Sequence, residues 1–540
     1  MHKSSRLALY HFWVAFGLFV PAVLLGAWQM WMRSPSPAPL HDRPDIYYAS
    51  VTLHGTIMAY VLTTFFAMGF GYAVAATSLG RPIRGTKAAW IGFWICLVGT
   101  LMAAVTVLSG KASVLYTFYP PLLASPWYYV GAFLLIGGSM IWVVLMSINM
   151  NGWKRDNPGQ PVPLAMFATT ATAYLWAWAA IGVLLELSCI LIPRAFGWTN
   201  LIDAALGRTL FSITLHAIVY FWLMPSYIAF YTIVPRAIGG RLYSDTMGRV
   251  AFVLFLVFSM PIGIHHLFAD PQVGAGFKFL HAAFTAMVAV PTFLTVFTIV
   301  ASVEIAARLR GGKGLFGWVK ALPWGNPMML AVTFSFIMLG LGGAGGIINM
   351  SFQLNETIHN TQWVTGHFHL IFAGAIVIMY FMVAYDLWPQ LTGCKPLPAG
   401  LVKAQLWLWF VGMMVMTLPW HWVGLLGMPR RMAYFDFSNP ALDGQAWTLI
   451  AGSIGGLMLV LSTLLFVFIL ARARRTDAQP APFTFSTPVH MPAATPVALN
   501  GFSLWLALMI ALTLVNYGFP IAQLAALKET SVPAIPIGGR

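Results

Sequence analysis

Six histidines lie within or at the ends of strongly apolar stretches of the sequence: His54, His216, His265, His266, His367 and His369. If these stretches cross a membrane, each histidine is a candidate for a functional role, because an ionisable side chain inside a bilayer is costly. A single histidine of this kind is more often a packing residue that hydrogen-bonds to backbone or water. Six at compatible depths, in a chain with few buried charges, instead indicate ligands of metals or cofactors.

His367 and His369 lie two residues apart in one apolar stretch. Because an α-helix turns by about 100° per residue, their side chains point about 200° apart, toward opposite faces of the helix. Such a pair cannot chelate one ion, but it can supply an axial imidazole to each of two hemes that flank the helix. His54, on another helix at similar depth, could complete one of these two irons, and the other heme would keep an open face.

His265 and His266 are adjacent, and His216 lies in the middle of another apolar stretch. Together they can offer three imidazoles to an ion such as copper and leave room for a substrate oxygen. An adjacent pair alone also occurs by chance in loops, so the indication depends on the combination with His216. Tyr220 follows His216 by four residues and therefore shares its helix face. It is either an ordinary buried aromatic residue or a phenol that supplies the last of the four electrons needed to reduce dioxygen.

Long apolar segments must position these residues. Of the 540 residues, 59% are hydrophobic and only 8% are charged, which excludes a water-soluble protein. Apolar runs of about 20 residues are what a bilayer core selects. We therefore predict an all-α fold, a polytopic membrane helical bundle of about thirteen transmembrane helices. The predicted spans are 7–31, 51–78, 88–109, 127–148, 164–192, 205–234, 250–264, 277–307, 328–348, 364–387, 406–426, 447–469 and 504–517.

Charge and composition indicate the membrane orientation and the domain organisation of the chain. Lys and Arg are concentrated in alternate loops, which predicts a cytoplasmic N-terminus. The net charge of +15 follows from this topology, and no aromatic-studded basic groove suggests nucleic-acid binding. The three cysteines are scattered and predict neither a disulfide framework nor a metal site. We predict a single domain over residues 1–540, with a cytoplasmic linker at about 477–495 before the last span.

Five segments resemble the signature segments of heme–copper oxidase subunit I, and their order and spacing cover nearly the whole chain. The segments are Leu53-His54-Gly55, His216-Ala217-Ile218-Val219-Tyr220, Gly263-Ile264-His265-His266-Leu267-Phe268-Ala269-Asp270-Pro271, Gly366-His367-Phe368-His369 and Gly427-Met428-Pro429-Arg430-Arg431. The resemblance implies a terminal respiratory oxidase that reduces dioxygen to water and couples this reaction to proton uptake and pumping. It also implies a bacterial or archaeal cytoplasmic membrane as the location.

The resemblance implies three metal sites. His54 and His369 ligate a low-spin heme, a heme b, and His367 is the proximal ligand of a high-spin heme of a or o type, where dioxygen binds. Copper B is held by the other three histidines, His216, His265 and His266.

Three further residues gain roles from the same resemblance. Tyr220 corresponds to a tyrosine that is covalently cross-linked to the first copper ligand, His216. Arg430 and Arg431 resemble a pair that contacts the heme propionates, and bidentate pairing between arginine and carboxylate gives a physical reason for that role. The alternative for the two arginines is a solvated pair in an outer loop.

Within the family the chain looks most like the B type, the ba-type cytochrome c oxidases. Members of the A type usually have Pro and Glu after the first copper ligand, where this chain has Ala217 and Ile218. His359 also resembles the B type, although Asn355 stands where an aspartate is familiar.

A row of hydroxyl groups is predicted to lead from the copper toward the cytoplasm. Tyr220, Tyr227 and Tyr231 follow His216 at helical spacing, within about 60° of one line. Thr292, Thr295 and Ser302 form a similar stripe on the eighth predicted span. Alternatively, the tyrosines only pack, and Thr and Ser hydrogen-bond to their own helix carbonyls.

The B-type resemblance assigns four of these residues to a proton-uptake path: Tyr227, Tyr231, Thr292 and Thr295. The sequence suggested no intramembrane carboxylate that would indicate a second path. The chain also lacks a motif rich in Cys and Met for copper A, so a subunit II carrying copper A is expected if cytochrome c is the electron donor. Dioxygen and membrane lipid complete the expected partners.

Two other functions remain as alternatives. A nitric oxide reductase shares the six histidines, but it replaces copper by iron and usually lacks the phenol, so Tyr220 argues against it. A secondary transporter without redox cofactors would typically show repeat symmetry and helices broken by Gly and Pro, which the sequence does not suggest.

Overall fold

The computed structural model describes residues 3–432, 438, 440–474, 476, 483–527 and 531–536. Residues 477–482 of the predicted linker lie outside the described residues. The rest of that linker, from residue 483 onward, contains a short strand.

Twelve helices of the described residues are long and apolar enough to cross a membrane, and a thirteenth, shorter helix, α7, lies between the sixth and the next of these. They are α1 Ser4–Met32, α2 Pro44–Ser78, α3 Thr86–Leu108, α4 Pro126–Asp156, α5 Leu164–Ala195, α6 Ala204–Thr232, α7 Asp245–Phe258, α8 Ala275–Arg308, α9 Pro327–Met350, α10 Gln362–Thr392, α11 Ala399–Leu425, α12 Ala446–Ala471 and α13 Ser503–Leu527. The prediction of an all-α membrane bundle of about thirteen helices is confirmed.

Helix α7 differs from the predicted span 250–264. It has 14 residues, so it is about 21 Å long and falls short of the bilayer core, which is about 30 Å thick. Pro261 explains the early end, because proline has no N–H to donate and the residue before it avoids the helical conformation. The chain continues through a 3₁₀ turn at Gly263–Leu267, which carries His265 and His266.

The centre of the bundle is formed by the helices that carry the histidines. In the most apolar 18-residue stretch of each helix, 89% of the residues are buried in α2 and in α10, and 78% are buried in α6. In α13 it is only 28%, so this helix lies at the periphery. The remaining helices surround the three central ones, which together carry His54, His216, His367 and His369.

Two of the central helices contain a π-helical segment next to their histidines. In α2 the segment Ile57–Leu62 begins three residues after His54, and in α10 the segment Leu370–Ile376 begins directly after His369. π-helical turns are rare and occur frequently at functional sites. Because each such turn contains extra residues, it rotates the helix faces before and after it relative to each other. The histidine half of each helix can therefore face a cavity while the other half packs.

Short strands tie the loops together at both ends of the bundle. At one end, β3 (Leu242–Ser244) pairs with β4 (Pro488–His490). At the other end, β1 (Leu122–Leu123) pairs with β6 (Ile535–Pro536), and β2 (Leu201–Asp203) pairs with β5 (Ser531–Pro533). The β3–β4 end holds most of the basic loops, whereas the histidines lie nearer the end that carries β1 and β2.

Candidate functional site

Two cavities lie on opposite sides of α10. The first, counted with the solvent space at its mouth, measures about 1320 Å³ and is lined by His54 and His369 among others. The second, counted in the same way, measures about 1170 Å³ and is lined by His367 together with the copper candidates His216, His265 and His266. The structure thus places His367 and His369 on different sides of one helix, as the rotation of about 100° per residue requires.

In the first cavity, the imidazoles of His54 and His369 face each other. Their ring centroids lie 6.3 Å apart, and the rings are nearly parallel at 13°. A bond from a metal to an imidazole nitrogen is about 2 Å long, so two opposed ligands of one metal ion place their ring centroids about 6 Å apart. His54 and His369 therefore fit as the two imidazoles that would hold one heme iron.

Backbone carbonyls set the tautomer of both rings. The Nδ1 of His54 lies 2.8 Å from the carbonyl oxygen of Ala22, and the Nδ1 of His369 lies 2.9 Å from that of Thr365. Because a carbonyl oxygen can only accept, each Nδ1 carries the proton and donates it. The Nε2 of each ring then keeps a free lone pair, which is the form that binds iron.

In the second cavity, His216, His265 and His266 converge. One ligand nitrogen from each lies within 4.8 Å of the others. The Nδ1 of His216 and the Nε2 of His266 are 3.0 Å apart. Three imidazoles at this spacing can hold one copper ion, so the donor set fits copper B.

Thr285 of α8 orients His265. Its hydroxyl donates to the carbonyl oxygen of His281 at 2.6 Å, which uses the only proton of that hydroxyl. The same oxygen lies 2.9 Å from the Nδ1 of His265 and must therefore accept from it. This arrangement leaves the Nε2 of His265 unprotonated and available to a metal.

His367 enters the second cavity from α10. Its Nδ1 is buried, and the backbone of Gly342 in α9 offers a hydrogen-bond acceptor to the ring. The ring lies directly against Gly345 of α9, where a Cβ atom would come within 2.7 Å of the His367 Nδ1. Glycine at this position therefore makes room for the imidazole that faces the three copper candidates.

Arg430 and Arg431 line both cavities. Burial and the neighbouring Arg431 lower the pKa of Arg430 to about 9. The Nε of Arg430 is buried without a partner among the described residues, and the guanidinium of Arg431 lies 5.0 Å from the centroid of the Tyr119 ring. Two adjacent cations at the mouth of two heme-sized cavities fit carboxylate groups such as heme propionates.

The predicted hydroxyl row is only partly connected. The Tyr231 hydroxyl donates to Thr295 Oγ1 at 3.1 Å and so links α6 to α8. Thr295 and Ser302 donate to carbonyls of their own helix, and the buried Tyr227 hydroxyl interacts with the side chain of Thr292 on α8. Tyr220 lies next to His216, with ring centroids 5.1 Å apart.

Several site residues were missed from the sequence. Arg33 lines the first cavity and donates to Tyr47 and Gln362, and its position directly after the first span was the available signal. Thr285 lies twenty residues from His265 in the sequence, and no sequence pattern pointed to it as a site residue. The expectation that no carboxylate lies within the membrane was wrong. Glu186 of α5 is fully buried, and neither of its oxygens has a partner among the described residues.

Comparisons with known proteins agree with this geometry. Residues 6–458 match the family described as Cytochrome C and Quinol oxidase polypeptide I. The chain is 40% identical over 489 residues to cytochrome c oxidase subunit 1 of Thermus thermophilus, covering 88% of this chain and 86% of that protein. It is 26% identical over 455 residues to cytochrome c oxidase subunit 1 of a Synechocystis species, covering 80% and 77%.

A solved structure is also similar. It is described as the cryo-EM structure of a heme-copper terminal oxidase dimer, and its TM-score is 0.93 at 32% sequence identity. The match covers 99% of this chain and 95% of that chain. The two folds therefore agree from one end to the other.

A membrane-spanning bundle with two heme-sized cavities and a three-histidine metal site defines a membrane-embedded redox enzyme. The chain belongs to the heme–copper oxidase family as a subunit I. It is the catalytic subunit of a terminal oxidase in respiratory electron transport, and the family binds heme and copper B. The family also implies dioxygen as substrate and subunit II as a partner.

The family assignment also decides between the functions considered above. The relatives are cytochrome c oxidase subunits, so nitric oxide reduction is not favoured. A transporter without redox cofactors is set aside for the same reason. The similarity to the Thermus subunit agrees with the predicted B-type resemblance.

We expect Thr285→Val to weaken copper binding without removing a ligand, because the valine cannot accept from the Nδ1 of His265. Loss of such a supporting hydrogen bond typically lowers metal affinity by about 10- to 100-fold. The measurement is the ratio of copper to heme iron after dialysis against a chelator. Thr285→Ser keeps the hydroxyl and serves as the control, which should retain copper. Equal copper in the valine and serine variants would contradict the orienting role.

Proposed function

We propose that the chain reduces dioxygen in the second cavity, between a high-spin heme of a or o type on His367 and copper B on His216, His265 and His266. His54 and His369 in the first cavity would hold a low-spin heme b, which would supply the electrons. The observation that carries this assignment is the division of the six histidines between two cavities that share α10.

When bound, the hemes and copper supply the redox chemistry, and the chain supplies positions and protonation states. Carbonyl and hydroxyl acceptors hold the Nδ1–H of His54, His265 and His369, so each ring offers its Nε2. Arg430 and Arg431 would hold propionates of both hemes, because both arginines border both cavities.

Apolar side chains separate the two cavities. Phe368, Trp222 and Phe372 line both of them, and Phe368 lies between the two histidines of α10 in the sequence. These side chains keep the space proposed for dioxygen reduction apart from the cavity of His54 and His369. Protons reach that space along side chains of the bundle in this proposal.

Tyr220 is the nearest proton and electron donor in this proposal. His216 directs its Nδ1 toward the Nε2 of His266, which leaves the Nε2 of His216 for the proposed cross-link to Tyr220. The link would hold the phenol beside copper B throughout turnover. The hydroxyl would then deliver one proton and one electron to the oxygen substrate.

Protons enter from the end of the bundle that holds most of the basic loops. We assign uptake to Tyr231, Thr295, Thr292 and Tyr227, in that order from the surface. The hydrogen bond from Tyr231 to Thr295 and the interaction of the Tyr227 hydroxyl with Thr292 support this path. The basic loops at this end favour a cytoplasmic N-terminus, so uptake from the cytoplasm can be coupled to pumping.

Cytochrome c is the proposed electron donor, acting through copper A on subunit II. The lack of a motif rich in Cys and Met in this sequence supports a separate copper A subunit. The membrane is the bacterial or archaeal cytoplasmic membrane.

Three histidine variants test the ligand assignment through cofactor content. His54→Ala should alter only the low-spin heme spectrum, and His367→Ala only the heme that binds carbon monoxide. His266→Ala should lose copper and keep both hemes, because two imidazoles are too few to retain the ion. Difference spectra and metal analysis provide the readouts.

His11→Ala is the matched control for these variants. His11 is also fully buried in a membrane-spanning helix, but it lines neither cavity. It should keep both hemes and copper. Indistinguishable spectra of the His54 and His367 variants would refute the separation of the two hemes.

Tyr220→Phe should preserve both hemes and copper and lower oxygen uptake by a factor on the order of 100 or more, because one proton donor is lost at unchanged bulk. Tyr72→Phe is the control. It removes a different buried hydroxyl, which has no hydrogen-bond partner among the described residues, and this variant should remain active. An active Tyr220 variant with normal cofactor content would exclude the role of the phenol.

Tyr231→Phe and Thr295→Val should each remove most of the turnover and of the proton uptake in proteoliposomes while the optical spectra stay unchanged. Each variant breaks the hydrogen bond that links α6 to α8. Tyr174→Phe, which removes a hydroxyl bonded to Ser147 on other helices, is the control. Normal turnover in both path variants would mean that protons enter elsewhere.

A further inference from the structure

An open groove lies on the outside of the bundle, at the end that carries β1 and β2. Counted with the open solvent in front of it, the groove measures about 2120 Å³, and it lies between the second half of α3, the start of α4, the end of α5 and strand β6. Its wall on α3 is apolar and exposed, with Val98, Leu101 and Val105 facing outward. These residues follow one another at intervals of three and four, so they form one continuous stripe of about 10 Å along the helix.

Aromatic side chains border the groove where the helices end. Trp127 is the second residue of α4, and Phe196 follows α5; both are exposed, and their ring centroids are 5.9 Å apart. Tryptophan and other aromatic residues are enriched where lipid headgroups meet the hydrocarbon core. The groove therefore runs from headgroup level into the acyl region.

Two cations lie at the headgroup level of the groove. They are Lys111, in the loop after α3, and Arg194, near the end of α5. Neither makes an ion pair with any described residue, and no Asp or Glu lines the groove in the described part of the chain. The Arg194 Nε is moreover buried without a hydrogen-bond partner there.

Two further donors point to an anion at this level. The Ser125 hydroxyl makes no cap hydrogen bond to α4, although Ser125 precedes that helix and lines the groove. The beginning of α4 also carries the positive end of a helix dipole of 31 residues. Cationic and neutral donors thus surround one rim, directly above an apolar wall.

We propose that this groove binds an anionic phospholipid, with its phosphate between Lys111 and Arg194 and an acyl chain along α3. The charge and the apolar stripe are both needed for this ligand. A free phosphate would leave the stripe uncovered, and a zwitterionic lipid would gain less from two unpaired cations. An apolar helix of another subunit would cover the stripe but leave the cations buried and unpaired, which is costly.

The test is native mass spectrometry of the delipidated oxidase, titrated with phosphatidylglycerol. Lys111→Gln combined with Arg194→Gln should weaken the tightest phosphatidylglycerol site by about 30-fold, because each basic residue near an anionic lipid contributes about a factor of five. Arg43→Gln is the control: Arg43 is a cation at the same end of the bundle, but it lies outside the groove and pairs with Asp45. Its affinity for the lipid should not change.

Three outcomes of the lipid titration would overturn the proposal. They are equal affinity in the double variant and the control, an equal loss of phosphatidylcholine binding, and binding of inorganic phosphate as tight as that of the lipid. Loss of a partner subunit from the double variant but not from the control would also overturn the proposal, because it would show that this subunit covers the groove. Heme spectra of every variant confirm folding, so loss of oxidase activity and loss of lipid binding are scored separately.

Discussion

The structure depends on one requirement: imidazoles must reach metal ions in an apolar interior with the correct nitrogen unprotonated. Water cannot supply a hydrogen bond to the other nitrogen there, so the protein must provide an acceptor. For His54 and His369 the acceptor is a backbone carbonyl, and for His265 it is the hydroxyl of Thr285. Ala22 lies on α1, Thr365 lies one turn before His369 on α10, and Thr285 lies on α8, which packs against the 3₁₀ turn that carries His265.

The two arginines at the mouths of the cavities meet the complementary requirement. Adjacent, partly buried cations are unfavourable by themselves, as the lowered pKa of Arg430 indicates. Anionic groups shared between both cavities would relieve that cost, so each heme would stabilise the segment that helps to hold the other. The folding of the segment that carries Arg430 and Arg431 is therefore expected to be coupled to cofactor binding.

Much of this arrangement could be predicted from the sequence. Hydropathy identifies the spans because bilayer thickness fixes their length, and helical rotation places His367 and His369 on opposite faces without any tertiary information. Tertiary contacts could not be predicted in this way. Thr285 meets His265 only because two segments fold together, and Glu186 was overlooked because one carboxylate barely changes the hydropathy of an apolar run. The early end of α7 at Phe258 followed from Pro261, a signal that was present but outweighed by the apolar run.

The spacing of His367 and His369 on α10 has a consequence for electron flow. The two residues differ in height along the helix axis by only about 3 Å, and they share one backbone. If each ligates its own heme, thermal breathing of the bundle moves both hemes together. The tunnelling distance between them would then be set by the covalent geometry of a single helical turn, and the rate of transfer between the hemes would be insensitive to fluctuations elsewhere in the membrane domain.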